Sequence, residues 1–175
     1  MTNVRRAARF AVVALTATSL FAAGLAEAVV YSNGSKTSTF DVTLKIIADC
    51  IISANPLDFG QSQGVLQTAV TANTTLNVTC TATTPYNVGL NAGTGTGSST
   101  SARLMSGTAG NSSTVGFNLK QTSGGANWGN TQGTDTLSGT GSGVVQNLTV
   151  YGQVPAQATP QPDTYKSTIT ATVYF

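Results

Sequence analysis

The chain has 175 residues, of which 40% are hydrophobic, 8% charged and 7% aromatic, with two cysteines and no histidine. Eight basic against six acidic residues leave a formal charge of +2, too little to form the basic stripe that grips nucleic acid or an anionic membrane. The lack of histidine removes imidazole base catalysis and the commonest metal ligand.

Residues 1–28 read as a secretory signal: Arg5, Arg6 and Arg9 form a basic region, Phe10 to Ala23 an apolar run, and Ala26-Glu27-Ala28 an A-x-A cleavage site. The run is too short, and too often interrupted by Thr and Ser, to favour a retained membrane helix. Cleavage takes three of the eight basic residues and one of the six acidic ones, leaving five of each and no glutamate. A neutral surface of Thr, Ser, Asn, Gln and Gly does nothing to repel copies of itself. The remaining length suits one domain that buries its core without a metal.

Phe40, Val42, Leu44, Ile46, Ala48, Cys50 and Ile52 share one parity, with Asp41, Thr43, Lys45 and Asp49 between them. That alternation predicts a half-buried strand. An even cysteine count in a secreted chain reads as a disulfide between Cys50 and Cys80, which on the chain-entropy view stabilises by about 3–4 kcal/mol. A free thiol is the alternative, with no histidine or basic neighbour to activate it.

Asn55-Pro56 marks a turn, Leu57-Asp58-Phe59-Gly60 a short apolar touch, and Gln61 to Gly64 a polar turn. Strands follow through Leu76, Val78 and Cys80, then, past Thr84-Pro85, through Tyr86, Val88 and Leu90. Ala92 to Ser101 is a Gly, Thr and Ser loop without the Gly-Lys-Ser/Thr of a phosphate loop. A short strand at Arg103 to Met105 and a clear one at Val115, Phe117 and Leu119 come next, then Trp128 and a second polar loop, Thr131 to Gly143. Leu148, Val150, Gly152 and Val154 alternate before Pro155, Pro160 and Pro162 break the chain. The last eleven residues place Tyr165, Ile169, Ala171, Val173 and Phe175 on one face of a strand, and Lys166, Thr168, Thr170, Thr172 and Tyr174 on the other. About seven short strands without an amphipathic helix predict an all-β sandwich.

The sequence stops on an aromatic of the apolar face, so the terminal strand is expected to leave an edge that still needs a neighbour. The apolar strand near the mature N-terminus supplies a partner, within the molecule or from another copy; the pattern alone allows both. Catalysis is not expected. Five aspartates, Asp41, Asp49, Asp58, Asp135 and Asp163, are scattered without a motif, a nucleophilic serine would lack its base, and no spacing suits a metal. Neither cofactor nor metal is expected. Tyr86, Phe117, Trp128 and Tyr151 either line a sugar-binding surface or pack within sheets, and strand spacing favours packing.

The ordered set FDVTLKIIADC, LDFG, LNVTC, VYGQVPAQATPQPDTY and YKSTITATVYF resembles the spore coat protein U domain, the subunit fold of archaic (Csu-type) chaperone-usher pili, over essentially the whole mature chain. The resemblance implies an incomplete immunoglobulin-like β-sandwich, completed by a donor strand from another subunit through strand addition. It implies residues 29–47 as the donor segment, with Phe40, Val42, Leu44 and Ile46 as its inserting side chains, and 48–175 as the pilin domain. Tyr165, Ile169, Ala171, Val173 and Phe175 would be the acceptor edge and chaperone contact, with a basic chaperone residue at the carboxylate of Phe175; Cys50 and Cys80 would be the family disulfide. The long polar arm 29–39 leaves the donor register open.

The partners implied are identical or related pilin subunits, a periplasmic chaperone and an outer-membrane usher, with no nucleic acid and no stable membrane insertion. The expected function is a secreted structural subunit, exported through the periplasm into a surface pilus for attachment and biofilm formation. A spore or cyst coat protein, and a monomeric carbohydrate-binding sandwich, are the alternatives.

Overall fold

The computed structural model describes residues 34–61 and 66–175. The expected signal, residues 29–33 of the donor segment and most of the Gln61–Gly64 turn lie outside the described residues.

Nine strands and no helix make up the described chain: β1 (Cys50–Ala54), β2 (Val70–Cys80), β3 (Pro85–Leu90), β4 (Arg103–Gly107), β5 (Thr114–Lys120), β6 (Leu137–Thr140), β7 (Gln146–Val154), β8 (Tyr165–Lys166) and β9 (Ala171–Tyr174). The alternation seen in the sequence is the burial seen in the fold. In β5, Val115, Phe117 and Leu119 are buried while Thr114, Gly116, Asn118 and Lys120 are only half-buried, the period that one face against a core requires. Leu76, Val78, Cys80, Tyr86, Val88, Leu90, Val150, Val154 and Trp128 join them in one core.

Every ladder is antiparallel. A six-stranded sheet has the order β1-β2-β7-β5-β4-β8, and a three-stranded sheet the order β6-β3-β9. The longest ladder, β2 with β7, runs from Val70↔Val154 to Val78↔Gln146. The six-stranded sheet is curled: its first strand, β1, comes close to β9, which continues the chain from its last strand, β8. This all-β, two-sheet arrangement is an incomplete immunoglobulin-like sandwich.

Three sequence expectations need correction. The half-buried strand from Phe40 to Ile52 shrinks to β1, and residues 34–49 belong to no ladder. Phe40 is 86% exposed and Ile46 75%, because alternation buries a strand only where a sheet edge takes it up. The terminal strand is two strands, since Ser167–Thr170 bond to loop groups instead of a ladder: Thr168 N donates to Thr94 Oγ1 at 2.9 Å, and Thr170 N to Asn91 Oδ1 at 2.9 Å. Finally, β6 lies inside the stretch expected to be loop, with Leu137 its one large apolar residue.

Candidate functional site

The site is an open seam. Among the described residues, β1 pairs only with β2, and β9 only with β3, so each presents a free edge; the two edges approach without forming a ladder. Unpaired backbone N–H and C=O groups along such edges form a template for another strand. Cys50 and Ile52 on one side, and Ile169, Ala171 and Val173 on the other, are half-buried and pack against the core. Side chains at such a position are shielded from below and wet from above.

At the β8 end the seam widens into a cleft of about 600 Å³, whose apolar walls include Leu57, Phe59, Met105, Val115 and Tyr165. Leu57 and Phe59 follow β1, while Tyr165 opens β8, so the cleft lies between continuations of the same two chain segments. Phe59 meets the ring of Phe117 edge-on, centroids 6.5 Å apart. Gly152 makes room for this segment: a Cβ there would lie 2.6 Å from Leu57 Cδ2 and 2.9 Å from Phe59 Cζ. Asp58 closes the turn, accepting from Gly60 N at 2.8 Å.

The wall of the seam is held from two directions. Cys50 and Cys80 are opposed residues of the β1–β2 ladder and are joined by a disulfide, which fastens the edge strand to the sheet interior. On the far side, Arg103 of β4 is 1% exposed and donates to four carbonyls: Asn91 from Nε at 2.9 Å, Thr100 from Nη1 at 3.0 Å, and Leu90 and Trp128 from Nη2 at 2.8 and 2.6 Å. Asn91 in turn binds both N–H and C=O of Thr170. The buried guanidinium thus anchors the point where the terminal segment crosses from one sheet to the other. Burial lowers its pKa to about 10, against a smaller opposing pull from Asp135.

Four aspartates accept from backbone amides: Asp49 from Cys50 N, Asp58 from Gly60 N, Asp135 from Thr131 N and Asp163 from Thr164 N. Burial pushes the Tyr86 phenol up. Of the four aromatics weighed as sugar contacts, Tyr86, Phe117 and Trp128 are in the core, and only Tyr151 is partly open.

The structure brings Tyr165, Ile169, Ala171 and Val173 together along one side of the seam, with Phe175 exposed just past β9. Val42 and Leu44, like Phe40 and Ile46, are exposed and outside any ladder. The other side of the seam, with Ile52, Leu57 and Phe59, was missed by sequence reasoning. Ile52 shares the parity of the Phe40 series and reads as its continuation, and the signal that separates them is the disulfide-bearing Cys50, which commits its strand to the sheet.

A family model described as the Spore Coat Protein U domain matches residues 36–172. No curated protein matches the sequence. Among solved structures, the chain is similar to one from the crystal structure of the CsuC–CsuE chaperone–tip adhesion subunit pre-assembly complex from archaic chaperone-usher Csu pili of Acinetobacter baumannii, with 21% identity and a TM-score of 0.56. The match covers 74% of this chain and 40% of that one, and it shows a shared fold.

Proposed function

Starting from a chain that belongs to the Spore Coat Protein U domain family, we propose that it is a structural pilus subunit that polymerises by donor-strand exchange. The observation that carries the reading is the pairing of two incomplete features. Among the described residues, the seam lacks a strand between β1 and β8–β9, and Phe40, Val42, Leu44 and Ile46 form an alternating apolar series that belongs to no ladder. Inserted into the seam of another copy, a strand bonds through its backbone to both free edges while its alternate side chains face the half-buried row of Ile52, Ile169, Ala171 and Val173. Burying each such aliphatic side chain contributes about 1.5–3 kcal/mol.

In this reading residues 1–28 are the signal, 29–47 the donor segment and 48–175 the sandwich. A periplasmic chaperone first lends a strand to the edge formed by Tyr165, Ile169, Ala171, Val173 and Phe175. At an outer-membrane usher the donor segment of the next subunit replaces it, and the product is a surface fibre serving attachment and biofilm formation. The role is mechanical, not enzymatic.

The test is light scattering after size-exclusion chromatography of oxidised protein secreted to a periplasm without its chaperone. Oligomers that survive until unfolding, and that vanish when residues 29–47 are deleted, are expected. A stable monomer with or without that segment would overturn the proposal.

A further inference from the structure

We propose that the outward face of the six-stranded sheet carries a binding site for an acidic polysaccharide, built on Tyr151 and Lys120. This site lies away from the seam and does not depend on how the seam is closed. A concavity of about 320 Å³ opens there, lined by Thr71, Asn73, Lys120, Ser123, Tyr151 and Gln153 among others. Its floor follows two cross-strand rows set by the ladders: Asn73, Tyr151 and Lys120 in one, and Thr71 and Gln153 in the next. Val150, Gly152 and Val154 are buried and alternate with the β7 members of these rows, so Tyr151 and Gln153 face outward by alternation.

Among the described residues, the polar side chains of this concavity have no hydrogen-bond partner. Elsewhere on the molecule Asn91, Asn111, Asn127, Gln121 and Gln157 spend their amides on backbone groups. Here, among the described residues, none of Thr71, Asn73, Lys120, Ser123, Tyr151 or Gln153 makes a side-chain hydrogen bond. Two free amides, two hydroxyls and a phenol match the donors and acceptors of a sugar ring, and an aromatic ring suits its C–H face.

Charge chooses among sugars. Among the described residues, Lys120 is the one ionisable cation of the concavity and no carboxylate lines it, so the complementary ligand is a saccharide bearing a carboxylate, a uronate. Neutral sugars leave that ammonium unmatched.

The experiment is calorimetric titration of the secreted, oxidised full chain, in whatever assembly it forms, with trigalacturonate and with neutral maltotriose. Saturable binding of trigalacturonate is expected, with affinity about tenfold or more above maltotriose, and weakened by added salt. Tyr151→Ala and Lys120→Gln should each lower it about tenfold, while Tyr151→Phe, which keeps the ring, retains most of it. Melting temperatures of the three variants, all at surface positions, show whether the fold is kept. No saturable heat at millimolar ligand, equal binding of maltotriose, or unchanged binding in well-folded Tyr151→Ala and Lys120→Gln would each overturn the site.

Discussion

Arg103 donates from Nη2 to the carbonyl of Trp128 at 2.6 Å, and both side chains are withdrawn from water, 1% and 0% exposed. Trp128 answers by donating from Nε1 to the carbonyl of Val88 at 2.7 Å. The pair therefore ties β4 of one sheet to β3 of the other, on the side of the sandwich where the terminal segment changes sheets. The charge is retained there because four carbonyls need donors at once, and a planar guanidinium presents them in a fixed fork.

Replacing Arg103 with Met should leave those carbonyls, two of them in buried bonds, short of donors and destabilise the fold on the order of 3 kcal/mol or more. Arg103→Lys should recover only part of the loss, since three donors on one nitrogen cannot span the four acceptors. Denaturant titration of the two variants checks this; a Lys variant as stable as the parent would count against the fork.

The same residue makes a pH prediction. Its pKa falls from the ordinary guanidinium value to about 10 on folding, so above pH 10 the unfolded chain binds more protons than the folded one. Stability from this group therefore rises with pH through that window. The gap in stability between the parent and Arg103→Met should widen from pH 9 to 11, the other groups cancelling in the difference. A gap that narrows over this range would contradict the assignment.

Breaking the disulfide with Cys50→Ser and Cys80→Ser should cost about 3–4 kcal/mol of stability. Among the described residues, β1 has a single ladder partner, so the loss should concentrate there. Hydrogen exchange should show Ile51 to Ala54 losing protection before the β2–β7 ladder. Uniform loss across both would mean that the bridge acts on the whole sandwich, not on the seam wall.

Gly152→Ala should push Leu57 and Phe59 out of their place in the cleft. Because Ala72 O also lies 3.1 Å from the new Cβ, the backbone cannot simply yield, and a destabilisation of about 1–3 kcal/mol is expected. If the seam takes a donor strand, this variant should also bind a peptide spanning residues 36–48 more weakly than the parent, with both measured in the form lacking residues 29–47.

Val42→Asp or Leu44→Asp should leave the recipient sandwich intact and reduce donor-strand affinity by about a hundredfold or more, since a carboxylate would replace a buried aliphatic group. Competition between parent and variant peptides for the truncated subunit reads this directly. Equal competition would remove these two residues from the inserting face.

Much was legible in the chain because burial in a sheet leaves a period of two. The core faces of β2, β3, β5 and β7 and the cysteine pairing follow from residue type, parity and count, which are local properties. The terminal residues Tyr165 to Val173 were likewise visible as one half-buried face, even though the strand is split.

What only the tertiary structure decided is which edges meet. Parity cannot distinguish Ile46, which no ladder takes up, from Ile52, which lies in β1, because both alternate in the same series; long-range pairing with β2 makes the difference. Nor does any local signal place Leu57 and Phe59 across from Tyr165, or sink Arg103 beneath four carbonyls. Those relationships arise when a six-stranded sheet curls until its first and last strands border one opening, a geometry set by many residues far apart in sequence and by no single motif.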